Sequence, residues 1–470
     1  MRPIALPLAL MPLFASALHA QRPDSLAEEV LKYVAVDTAN LALTHVTLID
    51  GTGGAPKTDQ AILIRNGRIA EAGPAGLVRI PDGVRTMDLK GHTVIPGLVG
   101  MHNHLFYTAA GGRAAQMSYT GPRLYLASGV TTIRTAGGRS PYAEINLRHN
   151  INLGRVPGPR IHLTAPYLTG EPGGGSMNVV TSPDEARRFV AYWASEGATW
   201  IKAYTDIRRS ELGAAIKEAH KRGVKVTGHL CSVSFREAVR LGIDNLEHGM
   251  LTASDFDTSK QPDVCPVTVG QGIPEREAAQ EVIRAMVKQG VSMTSTLAVY
   301  EPFVAGRPTK DARVLNAMAP EVRQSYLKIR NEIDSTEKGP IAVEGFRYAM
   351  TFEKNYVEAG GLLASGVDPT GLGGALAGYG DQRNYELFIE AGFTPAQAIR
   401  IMTLNGAKIL GVQQRLGSVE AGKLADLVVL KGDLSSDPAV IRNPTLVFKD
   451  GIGYDSAKLI ASVEGRVGID

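Results

Sequence analysis

From about residue 93 to about residue 410, short apolar strand patterns alternate with helical segments some eight times, and this repeat narrows the possible folds more than any other feature. The candidate strands are Val94–Gly100, Val130–Arg134, Arg160–Thr164, Trp200–Tyr204, Lys225–His229, Asn245–His248, Ser292–Leu297 and Leu362–Asp368. Helical patterns such as Pro183–Glu196 and Glu211–Arg222 lie between them, the second closed by Lys221-Arg222-Gly223, a good C-terminal stop. The repeat predicts an α/β fold, a (β/α)8 TIM-like barrel. A doubly wound open sheet is the alternative, but it does not predict that polar residues gather at strand ends, as they do here.

A different texture brackets the repeat. Segments 42–49, 61–65 and 68–70 read as strands separated by Gly and Asn-Gly turns, and the pattern returns in 425–430 and 445–451. One small β-sandwich domain built from both chain ends, residues 41–92 and 411–470, accounts for this, with the barrel over 93–410.

Composition removes several function classes. The hydrophobic fraction of 44% and charged fraction of 21% are those of a globular enzyme, and a net charge of +3 without a basic block argues against nucleic-acid partners. Arg2, the apolar run Ile4–Leu18 and the small residues Ala15-Ser16-Ala17 and Ala20 read as an export signal over residues 1–20. A plain apolar N-terminal helix is the weaker competitor, and the run is short for a membrane span. The expected location is therefore periplasmic or secreted. An oxidising compartment permits a disulfide between the two cysteines, Cys231 and Cys265, with two buried thiols as the equal alternative.

The chemistry sits at the strand ends. The first candidate strand runs into His102-Asn103-His104, the fourth carries Lys202, the fifth ends at His229, the sixth at His248 and the eighth at Asp368. In a barrel these ends form the mouth where active sites assemble. Strand alternation points His102 and His104 the same way, a spacing at which two imidazoles can hold one metal. Singly, each residue has an ordinary structural role. Five strand ends carrying ligand-type side chains together do not. His45, His92, His149, His162 and His220 fall on the small domain, loops, an outer helix or a strand interior, and read as structural or solvent-exposed.

With these residues in place, the chain resembles the amidohydrolase superfamily, in the branch related to imidazolonepropionase and metal-dependent Xaa-Pro dipeptidases. Pro96-Gly97-Leu98 before the two histidines, Gly129–Arg134, Ile201-Lys202-Ala203-Tyr204, Gly228-His229, Leu246-Glu247-His248-Gly249, Gly366-Val367-Asp368 and the tail Leu416–Leu427 carry the likeness, which spans the chain from about Leu41. The resemblance implies that His102, His104 and Asp368 hold one divalent metal and His229 and His248 a second. It implies that Lys202, carboxylated by carbon dioxide, bridges them, and that Asp368 is the catalytic base. Mixed nitrogen and oxygen ligation suits zinc. Mononuclear relatives, imidazolonepropionase among them, lack the bridging Lys. Deaminases place an acid after the fifth-strand His, where this chain has Leu230-Cys231-Ser232, and Glu247 is expected to face away from the mouth.

The expected function is hydrolysis of an amide bond in a small molecule such as a dipeptide or N-acyl amino acid. A lactone or phosphotriester hydrolase on the same site is the competing enzyme reading. A mononuclear cyclic-amide hydrolase and a non-catalytic binding barrel stand behind it. Tyr204, on the face of Lys202, is the candidate substrate contact. Residues 171–176 form a Gly-rich loop, and 252–275 and 300–346 form long excursions read as lids or as contacts in a homo-oligomer. Departures from the family pattern, such as Arg134-Thr135-Ala136 and the Gly-rich stretch 371–380, fall in pocket-shaping loops and keep specificity open.

Overall fold

Strands from both chain ends meet in one sheet. A computed structural model describes residues 25–38, 40–108, 114–175, 177–268, 270 and 272–469, so the export signal expected over 1–20 lies outside the described residues. The first strands are β1 (Val34–Val36), β2 (Asn40–Leu48), β3 (Lys57–Arg65), β4 (Arg68–Pro74), β5 (Arg85–Asp88) and β6 (His92–Pro96). Next come β7 (Leu98–Asn103), a short hairpin of β8 (Phe106–Thr108) and β9 (Ala114–Gln116), β10 (Val130–Thr135), β11 (Arg160–His162), β12 (Thr164–Thr169) and β13 (Asn178–Val179). The remaining strands are β14 (Trp200–Ala203), β15 (Lys225–Gly228), β16 (Asn245–Glu247), β17 (Ser292–Ser295), β18 (Leu363–Ser365), β19 (Leu427–Lys431), β20 (Pro444–Lys449) and β21 (Ile452–Asp455).

Hydrogen bonding orders β1-β21-β20-β19-β6-β2-β3-β4 in one nine-stranded mixed sheet, with β5 on β2. The sandwich expected of these ends is carried only as far as this shared sheet; no second ladder of these strands occurs among the described residues. Leu41, Leu43, Ile62, Ile64, Leu427, Val429 and Phe448 form its own apolar cluster.

The central segment is TIM-barrel-like, built of parallel strands. They fall into two ladders, β11-β10-β7 and β13-β12-β14-β15-β16-β17-β18, so hydrogen bonding does not close a barrel. The expected strand over 94–100 divides at Gly97: β6 belongs to the mixed sheet and β7 to the parallel one. A Cβ at Gly97 would lie 2.2 Å from Thr131 Oγ1, so only glycine lets the chain pass from one sheet to the other here. The expected strand over 160–164 divides likewise, giving β11 and β12. The Asp368 N–H, just past β18, donates to the His102 carbonyl at 2.9 Å and brings the eighth strand's end against the first. Gly366 permits that approach, since a Cβ there would come within 2.2 Å of the His102 nitrogen.

Alternation along the parallel strands separates two environments. Ile201, Val226, Leu246 and Met293 join the apolar layer beneath the helices, each fully buried side chain contributing about 1.5–3 kcal/mol. Their neighbours Lys202, Thr227, Asn245, Glu247 and Thr294 are all buried and polar. Such an interior is stable only where its polar groups are paired. Most are. Thr294 donates to Asn245 Oδ1 at 3.0 Å, Asn245 Nδ2 donates to Ser292 at 2.9 Å, and the Thr227 hydroxyl lies between Asn245 Oδ1 and Glu247 Oε1.

Candidate metal centre

The polar interior rises into a cluster at the strand ends. His102 ends near the close of β7, and His104 lies one residue past it. The ligand atoms of His102, His104 and Asp368 all lie within 4.8 Å of one another. His102 Nε2 is 3.5 Å and His104 Nε2 3.2 Å from the Asp368 carboxylate. The His248 ring stands 4.5 Å from that of His102 and 4.3 Å from that of His229, centroid to centroid. Lys202 reaches up beneath them from β14. All six residues named by the sequence therefore face one another.

Three of the four imidazoles have one ring nitrogen held by the chain. His102 Nδ1 contacts Glu247 Oε2 at 2.8 Å, His104 Nδ1 the Gly137 carbonyl at 3.0 Å, and His248 Nδ1 the Thr296 hydroxyl at 2.7 Å. Fixing Nδ1 in this way sets the tautomer, and in His102 and His104 it turns Nε2 toward the Asp368 carboxylate. His248 and Asp368 both adopt left-handed backbone, at φ 68° and 48°. Such conformations are disfavoured for residues bearing a Cβ and persist where the surroundings over-determine them.

That left-handed turn corrects one expectation. Alternation predicted that Glu247 would face away from the mouth if His248 faced it. The turn at His248 breaks the alternation, so His248 swings inward although Glu247 already points inside. Glu247 receives Arg134 and the Thr227 hydroxyl on Oε1, contacts His102 with Oε2, and lies 3.9 Å from Lys202 Nζ. Arg134 is itself stacked on Trp200 at 4.6 Å. The sequence motif Glu247-His248 named this carboxylate, but a strand-period argument cannot foresee a single left-handed residue.

Electrostatics prepare the cluster for a cation. Burial pushes His229 down to about 3, with the Lys202 charge adding to it, and holds His102 and His248 well below the usual imidazole range. These rings are neutral and carry free lone pairs. Burial would raise the Asp368 carboxyl, but the His102 and His104 rings beside it and the Thr370 hydroxyl at 2.8 Å hold it below the ordinary range and ionised. Burial likewise brings Lys202 down to about 8, Glu247 opposing the shift and Arg134 adding to it.

Within this cluster two of the buried atoms without a hydrogen bond are ligand-type nitrogens, Lys202 Nζ and His248 Nε2. An orphaned buried polar atom costs about 1–3 kcal/mol, so two in one cluster mark a place for a ligand from outside the chain. The donor set of neutral imidazoles, an ionised carboxylate and a partly neutral amine fits divalent cations.

Above the cluster opens a cavity of about 300 Å³. Tyr204 lines it, its ring 4.8 Å from that of His229 and 5.0 Å from that of Tyr167. Burial pushes the Tyr204 phenol up to about 12, so it is a hydrogen-bond donor at any ordinary pH. Tyr167, from β12, and Arg139, Met177 and Thr370, from loops, also line the cavity, and none of them carried a signal in the sequence. From the excursion over 300–346 come Tyr300 and Phe303. Cys231 and Cys265 are joined by a disulfide, which ties the excursion over 252–275 to the residue two past His229. Ser176, the last residue of the Gly-rich loop, lies outside the described residues.

Residues 93–452 match the model of the amidohydrolase family. The chain belongs to that family. Among curated relatives of this amidohydrolase, the imidazolonepropionase of Porphyromonas gingivalis is 22% identical over 387 residues, covering 79% of this chain and 83% of the relative. Among solved structures, a candidate prolidase from Bifidobacterium longum is 26% identical, with a TM-score of 0.64 over 90% of this chain and 98% of that one. A Xaa-Pro dipeptidase with methionine bound in its active site is 23% identical, with a TM-score of 0.65 over 88% of this chain and 100% of that one. The site of this amidohydrolase is thus embedded in a fold shared with prolidase-like proteins.

Proposed function

We propose that this chain is an exported, binuclear metal-dependent amidohydrolase that cleaves an amide C–N bond in a small molecule such as a dipeptide or an N-acyl amino acid. The observation that carries the reading is Lys202 Nζ, buried without a hydrogen bond among His102, His104, His229, His248 and Asp368. His102, His104 and Asp368 would hold one ion, His229 and His248 the other, and Lys202 would bridge them as a carbamate. An amine brought down to about 8 is neutral in part at neutral pH, and only the neutral form adds to carbon dioxide. In that addition the nitrogen lone pair forms the new C–N bond and a proton leaves to solvent. The product offers two oxygens and a negative charge where a lysine offers none.

Two divalent cations supply an electrophile for the scissile carbonyl and lower the pKa of water. The rest falls to the chain. Asp368, ionised and steadied by Thr370, takes the proton of the attacking water and returns it to the leaving nitrogen. Tyr204 donates a hydrogen bond into the cavity from the His229 side. His102 keeps its orientation through Glu247, so the proton-accepting carboxylate between His102 and His104 stays in place. Lys202 separates this reading from a mononuclear one, which has no use for a buried lysine at the floor. The export signal over 1–20 and the Cys231–Cys265 bridge are consistent with an oxidising compartment.

The test is a metal-loaded screen of dipeptides, N-acyl amino acids, lactones and phosphotriesters on the wild type and on Asp368→Asn. Amide turnover, lowered roughly 10²–10⁴-fold in the variant, is expected. Turnover of lactones or phosphotriesters alone would move the substrate class, and full activity of Asp368→Asn would remove the base.

A further inference from the structure

The cavity over the centre is polarised from one side to the other. On the His104 side, the Phe106 ring lies 4.6 Å from that imidazole, and the Arg139 guanidinium sits 5.1 Å from the Phe106 centroid. The Tyr167 hydroxyl is 3.4 Å from His104 Nε2, and the Tyr167 and Tyr204 rings meet edge to face. Across the centre, on the His248 side, the Tyr300 ring stands 5.5 Å from that of His248. Val299 and Phe303 continue this wall, packed so closely over the loop that a Cβ on Gly371 would come within 3.0 and 3.3 Å of them.

Arg139 is the only lining residue of fixed positive charge, and among the described residues no carboxylate pairs with it. A guanidinium resting over an aromatic ring keeps its N–H donors free for a flat, two-oxygen anion. A lone arginine on a surface is ordinarily solvated. This one is exposed into the cavity, beside phenol donors, and faces a centre whose own acid is committed to the histidines.

We propose that Arg139, with the Tyr167 and Tyr204 hydroxyls, receives a carboxylate of the substrate while the Val299–Phe303 wall takes an apolar group. The substrates are then amides with a free carboxylate at one end and an apolar moiety at the other. This rests on the amide-hydrolase reading above and adds the end of the molecule that the enzyme selects. Arg139 is exposed, so the discrimination it gives is about tenfold rather than the hundredfold of a dry pair.

Two measurements on metal-loaded protein test it. In the first, benzoate release compares N-benzoylglycine with N-benzoylglycinamide, which lacks the charge. The wild type is expected to favour the carboxylate about tenfold in kcat/KM, Arg139→Met to bring the ratio near one, and Arg139→Lys to fall between. In the second, calorimetry compares 3-phenylpropionate with 3-phenyl-1-propanol, neither of which has an amide to cleave. The wild type is expected to bind the carboxylate about tenfold more tightly and Arg139→Met to lose that preference. A carboxylate preference in binding that survives Arg139→Met, or none in the wild type, overturns the proposal. A preference lost in Arg139→Met without turnover of either amide keeps the anchor and overturns the amide-hydrolase reading instead.

Discussion

Two buried polar clusters in this molecule look alike by composition and behave as opposites. At the junction of the parallel strands and the mixed sheet, Arg160 bridges Asp426 at 2.9 Å and Asp450 at 2.7 Å, and also donates to Thr132 at 2.8 Å. The two aspartates hold the guanidinium charged despite the cost of burial. Every charge there has its partner inside the chain. At the mouth, four imidazoles, an amine and a carboxylate are packed together, yet Lys202 Nζ and His248 Nε2 make no hydrogen bond. The first cluster is complete as protein and welds two parts of the chain together. The second is completed only by something the chain does not encode, which is the physical signature of a binding centre.

The largest effect expected from breaking this contrast is at the junction. Arg160→Met removes the ion pair of Asp426 and leaves Asp450 only Lys449, at 3.6 Å, and should cost about 3–5 kcal/mol in denaturant unfolding, with metal content per folded chain unchanged. A loss below 1 kcal/mol would mean that the junction cluster is not the weld described.

At the mouth, Glu247→Gln keeps the shape but weakens the aim of His102. Metal affinity should fall about 10–100-fold by competition with a chromogenic chelator. Unchanged affinity would reduce Glu247 to a partner for Arg134 alone.

The smallest effect concerns a third kind of buried group, a carboxyl with no counter-charge. Glu353 lies beside the turn that follows His248, one of its oxygens unpartnered, and burial pushes it up to about 8. It is protonated in the fold at neutral pH. The unfolded chain's glutamates ionise near 4.5, so from there to about 8 the folded state retains a proton that the unfolded state releases, and stability falls as pH rises. Glu353→Gln should therefore raise Tm by about 2 °C at pH 8 relative to wild type and leave little difference at pH 4. Equal shifts at both pH values would remove the titration from the explanation.

Much of this contrast was legible in the sequence, and unevenly. The strand–helix repeat announced the parallel strands, and the polar residues at strand ends announced His102, His104, Lys202, His229, His248 and Asp368 as a group, because a period of two puts such residues on one face. The sheet shared by the two chain ends followed from matching textures. What stayed hidden depends on single dihedral angles or on long-range approach. Gly97 divides one expected strand between two sheets. A left-handed His248 turns Glu247 from a bystander into the support of His102. Arg139 reaches the cavity from a loop, where periodicity carries no information, and Tyr167 from β12, past the end of the strand expected over 160–164. Arg160 read as the start of a strand, and nothing near it in sequence names Asp426 or Asp450 as partners.

The central claim is that the orphaned groups at the mouth await two cations bridged by a modified Lys202. Metal content per chain, measured on active protein by plasma mass spectrometry, tests it most directly. The account predicts two divalent ions per chain in the wild type, with Lys202→Met losing both activity and at least one ion. One ion per chain at full activity, or a Lys202→Met variant that keeps two ions, would contradict it.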